Sequence, residues 1–224
     1  MSGLLPCKRL SPLGSPQSVW RMDSMDFKRI TILLAAAVFL VSAAGCIFSP
    51  EEGGEVGGGG DTTLAPALTE TELMEQMVEV YEDMNYRGYT QILDPDFKMI
   101  LKPETISEFG LENDYFTYAQ DTQIMEKMFS GNPAGEDVPG ITSISVLHLT
   151  IMTPWDTSQN TEFPDARYAK YDVHFEFWQG SGEARQKMTV KGEIEFYLSS
   201  ETITYEGKER LQFKMVGQVD RTEG

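Results

Sequence analysis

The second half of the chain alternates apolar and polar residues with a period of two, and this pattern constrains the fold more than any other feature. Successive side chains of a strand point to opposite faces of a sheet, so each alternating segment is predicted to be a strand with one buried face. One-sided strands are typical of an antiparallel sheet that carries helices on one face. The apolar positions of the four segments are Leu147, Leu149 and Ile151; Tyr171, Val173, Phe175 and Phe177; Val190, Ile194, Phe196 and Leu198; and Leu211, Phe213 and Met215.

Helical spacing dominates the residues that precede these strands. Thr69 or Thr71 can cap a first helix, and a second short helix follows Asn85. The sequence Asp-Pro-Asp at 94–96 ends the second helix, and residues 97–101 form a first strand. A further helix is predicted to begin at Asp121 or Thr122. The inward positions of these helices are Leu73, Met77, Val80, Tyr81 and Met84, then Tyr89, Ile92 and Leu93, then Ile124, Met125, Met128 and Phe129. Helices followed by a long run of strands indicate the α+β class.

An apolar run near the amino terminus predicts export. Lys28 and Arg29 precede it, and it continues into Ala-Ala-Gly-Cys at 43–46, which resembles a bacterial lipobox. In that family the cysteine carries a diacylglyceryl group and becomes the first mature residue, so Cys46 is the predicted lipid attachment site. A single transmembrane helix is the alternative, and it also places the later residues outside the cytoplasm. The predicted location is a bacterial membrane, at the outer membrane or facing the periplasm.

The chain therefore divides into three parts. Residues 1–45 are the predicted signal peptide, within which residues 1–24 can reflect an upstream start. Residues 46–66 are the lipidated cysteine and an acidic, glycine-rich tether, and residues 67–224 are the domain. Cys7 and Cys46 are the only cysteines, so no disulfide is expected in the domain.

The charge of the exported part excludes one class of partner. The whole chain has a formal net charge of -17, and from Cys46 onward 13 Lys and Arg stand against 33 Asp and Glu, which gives -20. Such a surface repels phosphate backbones, so nucleic acid is not an expected partner.

Three segments resemble the NTF2-like superfamily, and its SnoaL-like branch in particular. They are YEDMNYRGY at 81–89, ILDPDF at 92–97 and IMEKMF at 124–129. The resemblance spans about residues 69–224 and implies a curved antiparallel sheet wrapped around the amino-terminal helices into a cone. Domains of this type often contain a pocket and often form homodimers, but a shared fold does not fix a function.

The aromatic residues and the two histidines are the candidate site residues of the domain. Seven aromatic residues can line an apolar pocket or simply fill the core, and they are Tyr81, Tyr89, Phe97, Phe129, Trp155, Phe175 and Phe177. His148 and His174 alternate onto the polar face of their strands, away from these aromatics. The spacing of the histidines and carboxylates predicts no metal site, and no cofactor motif is present.

These features are compatible with two functions. The first is an envelope lipoprotein whose domain binds a small apolar ligand or a protein partner without catalysis. The second is an envelope enzyme that uses the pocket for isomerase, dehydratase or hydrolase chemistry. An ionisable side chain buried inside the cone would favour the enzyme, and Tyr81 and Tyr89 are the residues that the sequence offers for it.

Overall fold

A computed structural model describes residues 62–135 and 138–222. The helices are α1 (Glu70–Glu82), α2 (Tyr86–Ile92), α3 (Pro103–Phe109) and α4 (Tyr118–Phe129), with a short 3-10 helix at Gly182–Ala184. The strands are β1 (Leu93–Ile100), β2 (Tyr115–Thr117), β3 (Ile141–Ile151), β4 (Asp156–Thr157), β5 (Arg167–Gln179), β6 (Gln186–Tyr205) and β7 (Lys208–Thr222).

All seven strands form one curved sheet, which confirms the predicted α+β class. The strand order is β2-β1-β7-β6-β5-β3, and β4 pairs with β5. Every pair is antiparallel except β1 and β7, which run parallel. The sheet is therefore mixed. The parallel pair is possible because the whole intervening chain, and not a hairpin, connects β1 to β7.

The main core lies between the helices and the inner face of the sheet. Its most deeply buried side chains come from α1, β1, β5 and β6, and they are Leu73, Val80, Phe97, Val173, Phe196 and Leu198. The apolar stripe predicted for α1 is largely buried, and Thr69 caps the helix by accepting a hydrogen bond from the backbone N–H of Glu72.

Helix α4 begins three residues earlier than predicted. Thr117 is its N-cap and forms a capping box with Gln120, so neither Asp121 nor Thr122 caps the helix. The earlier start leaves the Asp121 side chain free of any capping role. Asp121 instead lies in the first turn, with its carboxyl group buried.

Strand β3 departs from the predicted alternation. Leu147 is 56% exposed and Ile151 is 44% exposed, so the prediction that both are buried is wrong. The pairing of β3 with β5 shifts register between Val146 and His148, which places Leu147 in a bulge. The inward side chains are therefore Ile144 and Val146 before the bulge and Leu149 after it. Ile151 lies opposite the inward-facing Tyr171, but it is exposed at the end of the strand. β3 lies at the edge of the sheet, where the Glu82 carboxylate of α1 accepts a hydrogen bond from the Val146 N–H at 3.0 Å.

The outer face of the sheet is partly covered. Phe163, in the connection between β4 and β5, stacks on Tyr197 with ring centroids 4.5 Å apart, and both are buried. A Cβ at position 217 would collide with the Phe163 ring, so Gly217 is what admits this ring to the sheet. The outer face therefore carries a second small core that the period-two pattern did not predict.

The segment 62–68 precedes α1 and is held against the domain. The Asn85 amide donates to the Thr62 carbonyl at 2.9 Å, and the Leu64 N–H donates to Gln91 Oε1 at 2.8 Å. The Phe213 N–H of β7 donates to the Ala67 carbonyl at 2.9 Å. Residues 62–66, placed in the tether by sequence reasoning, thus pack against the folded part.

The predicted signal peptide and Cys46 lie outside the described residues. Within residues 62–222, gap aside, none of the helices has the length and apolar character needed to cross a bilayer.

Candidate functional site

A cavity of about 140 Å³ opens between the inner face of the sheet and helices α1, α2 and α4. We call it the inner cavity. Six aromatic rings line it: Tyr81, Tyr89, Phe116, Phe175, Phe177 and Phe196. The remaining apolar wall is rich in methionine: Met77, Met99, Met125, Met128 and Met188. Such flexible, polarisable side chains adapt to ligands of different shape.

Asp121 is the buried carboxylic acid of this wall, and its residue is only 5% exposed. Helix α4 brings it to face Tyr89 of α2, whose hydroxyl donates to Asp121 Oδ2 at 2.5 Å. In the described part of the chain this is the one hydrogen bond that the carboxyl group receives, and none of the described ion pairs includes it. A buried carboxylate without a counter-charge is energetically costly, which marks this position as unusual.

Burial changes the acidity of the three neighbouring groups. Desolvation raises the pKa of Asp121 to about 6, although the hydrogen bond from Tyr89 acts in the opposite direction. Desolvation and the nearby Asp121 charge raise the pKa of Tyr89 well above its ordinary value, and the same two causes raise the pKa of Tyr81. Both phenols therefore stay protonated near neutral pH, where Asp121 titrates.

A second carboxylate borders the inner cavity in a different environment. Asp220 of β7 lies 3.7 Å from Lys102 Nζ, and its Oδ1 accepts a hydrogen bond from the Thr222 hydroxyl at 2.7 Å. Lys102 Nζ also donates to Thr222 Oγ1 at 3.0 Å. Asp220 is thus paired with a cation, whereas Asp121 is not, and carboxylates in such contrasting surroundings can take different roles in proton transfer.

The structure separates the seven aromatic candidates into two groups. Tyr81, Tyr89, Phe175 and Phe177 line the inner cavity. Phe97 is buried in the core away from it, and Trp155 is half-buried against Tyr171, with ring centroids 5.9 Å apart. Phe129 packs behind the wall, 5.7 Å from Tyr81 and 5.9 Å from Tyr89 between ring centroids. Whether any of them contacts a ligand stays a prediction.

Sequence reasoning missed Asp121 as a site residue because it placed the start of the helix at Asp121 or Thr122. The signal that could have identified it is the Thr-x-x-Gln sequence at 117–120, a capping pattern that moves the helix start upstream. Asp121 then lies inside the helix, four residues before Met125, so the two side chains share the inward face.

The two histidines lie on the outer face of the sheet. The side chain of His174 points to the face of the sheet opposite that of the buried Phe175, as the alternation predicts. His148 Nε2 lies 2.9 Å from Asp172 Oδ2, and His174 Nε2 lies 3.9 Å from Glu176 Oε1. Neither ring lines the inner cavity.

Over the described residues, His, Cys, Asp and Glu side chains form no cluster of three with metal-binding geometry.

A second depression, of about 300 Å³, lies beside segment 62–68. Its walls come from that segment and from α1, α2 and β7, with Gln76, Gln91 and Gln212 among the polar side chains. Unlike the inner cavity, it has no acidic side chain among its lining residues.

Comparison with known proteins gives similarity only at the level of solved structures. No family model matches the chain, and no curated protein matches it. A protein from Pseudomonas putida KT2440 described as a polyketide cyclase is 15% identical, covers 68% of this chain and 90% of its own, and has a TM-score of 0.37. A SnoaL-like protein from Shewanella denitrificans OS-217, also described as a polyketide cyclase, is 8% identical over 69% and 90% of the two chains, with a TM-score of 0.41.

A third similar structure is an NTF2-like superfamily protein from Salmonella enterica, which is 13% identical, covers 69% of this chain and 87% of its own, and has a TM-score of 0.39. At these identities and TM-scores the comparisons assign no activity. The described α+β domain is similar to solved structures named as NTF2-like and SnoaL-like proteins.

Proposed function

We propose that the inner cavity binds a small, largely apolar molecule about the size of one aromatic ring, and that Asp121 exchanges a proton with it. The observation that carries this proposal is the Asp121 carboxyl group, which is buried in an apolar cavity and has a pKa of about 6. For scale, an engineered apolar cavity of about 150 Å³ holds benzene.

A general base works best when its pKa lies near the operating pH, because it is then both ionised and basic enough to accept a proton. Asp121 meets that condition through desolvation. The Tyr89 hydroxyl holds one carboxylate oxygen at 2.5 Å and fixes its orientation. The second oxygen has no described hydrogen-bond donor and is the one that would face a reacting hydrogen.

The reaction class that these groups support is proton removal and return. Asp121 takes a proton from a carbon or oxygen of the ligand and delivers it elsewhere, as isomerases and dehydratases require. Tyr81 and Tyr89 remain protonated, so they can act as hydrogen-bond donors to charge that develops on the ligand.

Binding without catalysis is the second candidate. Its support is the apolar character of the cavity wall, where the aromatic and methionine side chains outnumber the polar groups. In that function Asp121 would orient the ligand through a hydrogen bond and undergo no net proton exchange.

The proposed setting is the bacterial cell envelope. The Ala-Ala-Gly-Cys sequence at 43–46 supports lipid attachment at Cys46. The partner of the anchor would be a membrane, and the excess of Asp and Glu after Cys46 argues against nucleic acid.

Kemp elimination of 5-nitrobenzisoxazole tests the proton-transfer proposal, because the isoxazole ring of this flat bicyclic compound opens when a base removes one proton from carbon. That proton goes to the base, the N–O bond breaks, and a cyanophenolate forms, which absorbs visible light. We expect the protein to exceed a carboxylate buffer by at least about 100-fold, with a rate that rises through a pKa near 6.

Asp121→Asn keeps the shape of the side chain and should reduce the rate to the buffer level. The matched control is Asp156→Asn, because Asp156 is exposed on β4 and does not line the cavity. A rate that is insensitive to Asp121→Asn, or equally reduced by both variants, would reject Asp121 as the base.

A further inference from the structure

The charge of the inner cavity narrows the class of ligand that it can hold. Among the residues that line it, Asp121 and Asp220 are acidic and there is no lysine, arginine or histidine. Lys102 lies close by, but it pairs with Asp220 and Thr222. When the Asp121 carboxyl group is ionised, the cavity therefore contains one negative charge that the protein does not neutralise.

An incoming ligand displaces water from this carboxylate. If the ligand is neutral, Asp121 loses hydration and gains no counter-charge, so burial becomes still less favourable. An anion adds repulsion. A cationic group supplies the missing positive charge, and an ion pair held in such a cavity is less screened than one at the surface.

The aromatic wall adds a second attraction for a cation. The faces of aromatic rings attract ammonium groups, and this attraction grows when the site excludes water. Tyr81 sits among Tyr89, Phe129 and Phe175, with ring centroids 5.6 to 5.9 Å away. Of these rings, Tyr81, Tyr89 and Phe175 line the cavity, and Phe177 and Phe196 add two more, so aromatic side chains border it on several sides.

We propose that the inner cavity selects organic cations: amines that carry an apolar ring or a compact alkyl group, bound with the ammonium beside Asp121 and the apolar part against the aromatic and methionine wall. This selection rests on the proposed function, since it uses the same cavity and the same carboxylate. The net charge of -20 beyond residue 45 adds a long-range field that concentrates cations near the protein.

Three ligands of nearly equal size separate charge from shape: benzylamine, which is a cation at neutral pH, benzyl alcohol, which is neutral, and benzoate, which is an anion. Binding is measured by NMR titration of the methyl signals of the cavity methionines. At pH 7.5 we expect benzylamine to bind at least about tenfold more tightly than benzyl alcohol, and benzoate to bind more weakly than either.

The pH dependence should have opposite signs for the two ligands. The groups that face Asp121 are Tyr81 from α1 and Tyr89 from α2, which both stay protonated, and the Asp220–Lys102 pair borders the cavity from the β7 side. Between pH 5 and pH 7.5 the dissociation constant of benzylamine should fall roughly tenfold as Asp121 ionises. Benzyl alcohol should bind better at pH 5, where the carboxyl group is neutral.

Asp121→Asn should remove the preference for benzylamine and its pH dependence, whereas Asp156→Asn, which removes the same formal charge at an exposed site, should keep both. If Asp121→Asn does not fold, the natural protein provides the test: opposite pH trends for benzylamine and benzyl alcohol support the proposal, and parallel trends contradict it.

Equal or tighter binding of benzyl alcohol at pH 7.5, or a preference for benzylamine that survives Asp121→Asn, would overturn the selection of cations. Benzyl alcohol binding alone would leave the cavity and the proposed function intact. Binding of none of the three rings would overturn both proposals.

Discussion

Asp121→Asn should make the protein more stable at neutral pH, although it removes the group proposed to act on the ligand. The pKa of Asp121 is raised from its ordinary value of 3.8 to about 6 by burial. The folded protein therefore binds this proton more tightly than the unfolded chain does. Above pH 6 the ionised carboxyl group costs stability, and below pH 3.8 that cost is absent.

The size of the effect follows from the two pKa values. At about 1.4 kcal/mol for each pH unit, the step from 3.8 to about 6 corresponds to about 3 kcal/mol. Asparagine is neutral at every pH and can still accept the hydrogen bond from Tyr89. The variant should thus gain up to about 3 kcal/mol at pH 8, or roughly 6–12 °C in melting temperature for a domain of this size, and only about 0.6 kcal/mol at pH 4.

Urea denaturation of both proteins at half-unit intervals from pH 4 to pH 8 measures this difference. The many exposed carboxylates change the stability of both proteins alike, so the difference in the free energy of unfolding isolates position 121. The difference should rise through pH 4 to 6 and then level off. A difference that stays constant with pH, or a variant that is less stable at pH 8, would mean that the Tyr89–Asp121 hydrogen bond stabilises the charged form, and the proposed base would be a structural group.

Other positions give independent tests. Cys46→Ala should leave an unlipidated precursor, and mass spectrometry that finds a mature amino terminus elsewhere without an acyl mass would contradict the lipobox. Phe175→Ala should cost about 3 kcal/mol or more in denaturant unfolding, since it removes a buried ring, whereas His174→Ala on the opposite face should cost less than about 1 kcal/mol; similar costs would contradict the assignment of faces. Gly217→Ala should cost about 1–3 kcal/mol by displacing Phe163 from Tyr197, and an unchanged melting curve would show that this ring adds little.

Patterns that repeat along the chain predicted the fold well. The stripe on α1 and the alternation in β5 and β6 each involve several residues, so one exception does not change the interpretation. Short elements without such repetition, namely α3, β2 and β4, were not predicted. The covering of the outer face by Phe163 was also missed, because this ring comes from a connection without a regular alternation of apolar and polar residues.

The candidate site was predicted less well, for a physical reason. Four of the seven aromatic candidates line the inner cavity, because the sequence indicates which face of an element is buried. The sequence does not distinguish a ring that lines the cavity from a ring such as Phe129, which packs behind the cavity wall. Asp121 was placed at the start of its helix, whereas the capping box of Thr117 and Gln120 starts the helix earlier and leaves Asp121 in the first turn, where its side chain is buried.

The bulge at Leu147 also affects how the protein behaves at high concentration. A sheet edge that exposes apolar side chains is a template on which other chains can add strands, and this is a common start of aggregation. Leu147 and Ile151 lie on such an edge, but the bulge interrupts its ladder, and Glu82 already occupies the Val146 N–H. An incoming strand would find only short runs on either side of the irregularity. Deletion of Leu147 would restore a regular edge, and we expect the shortened strand to aggregate more readily than the natural one.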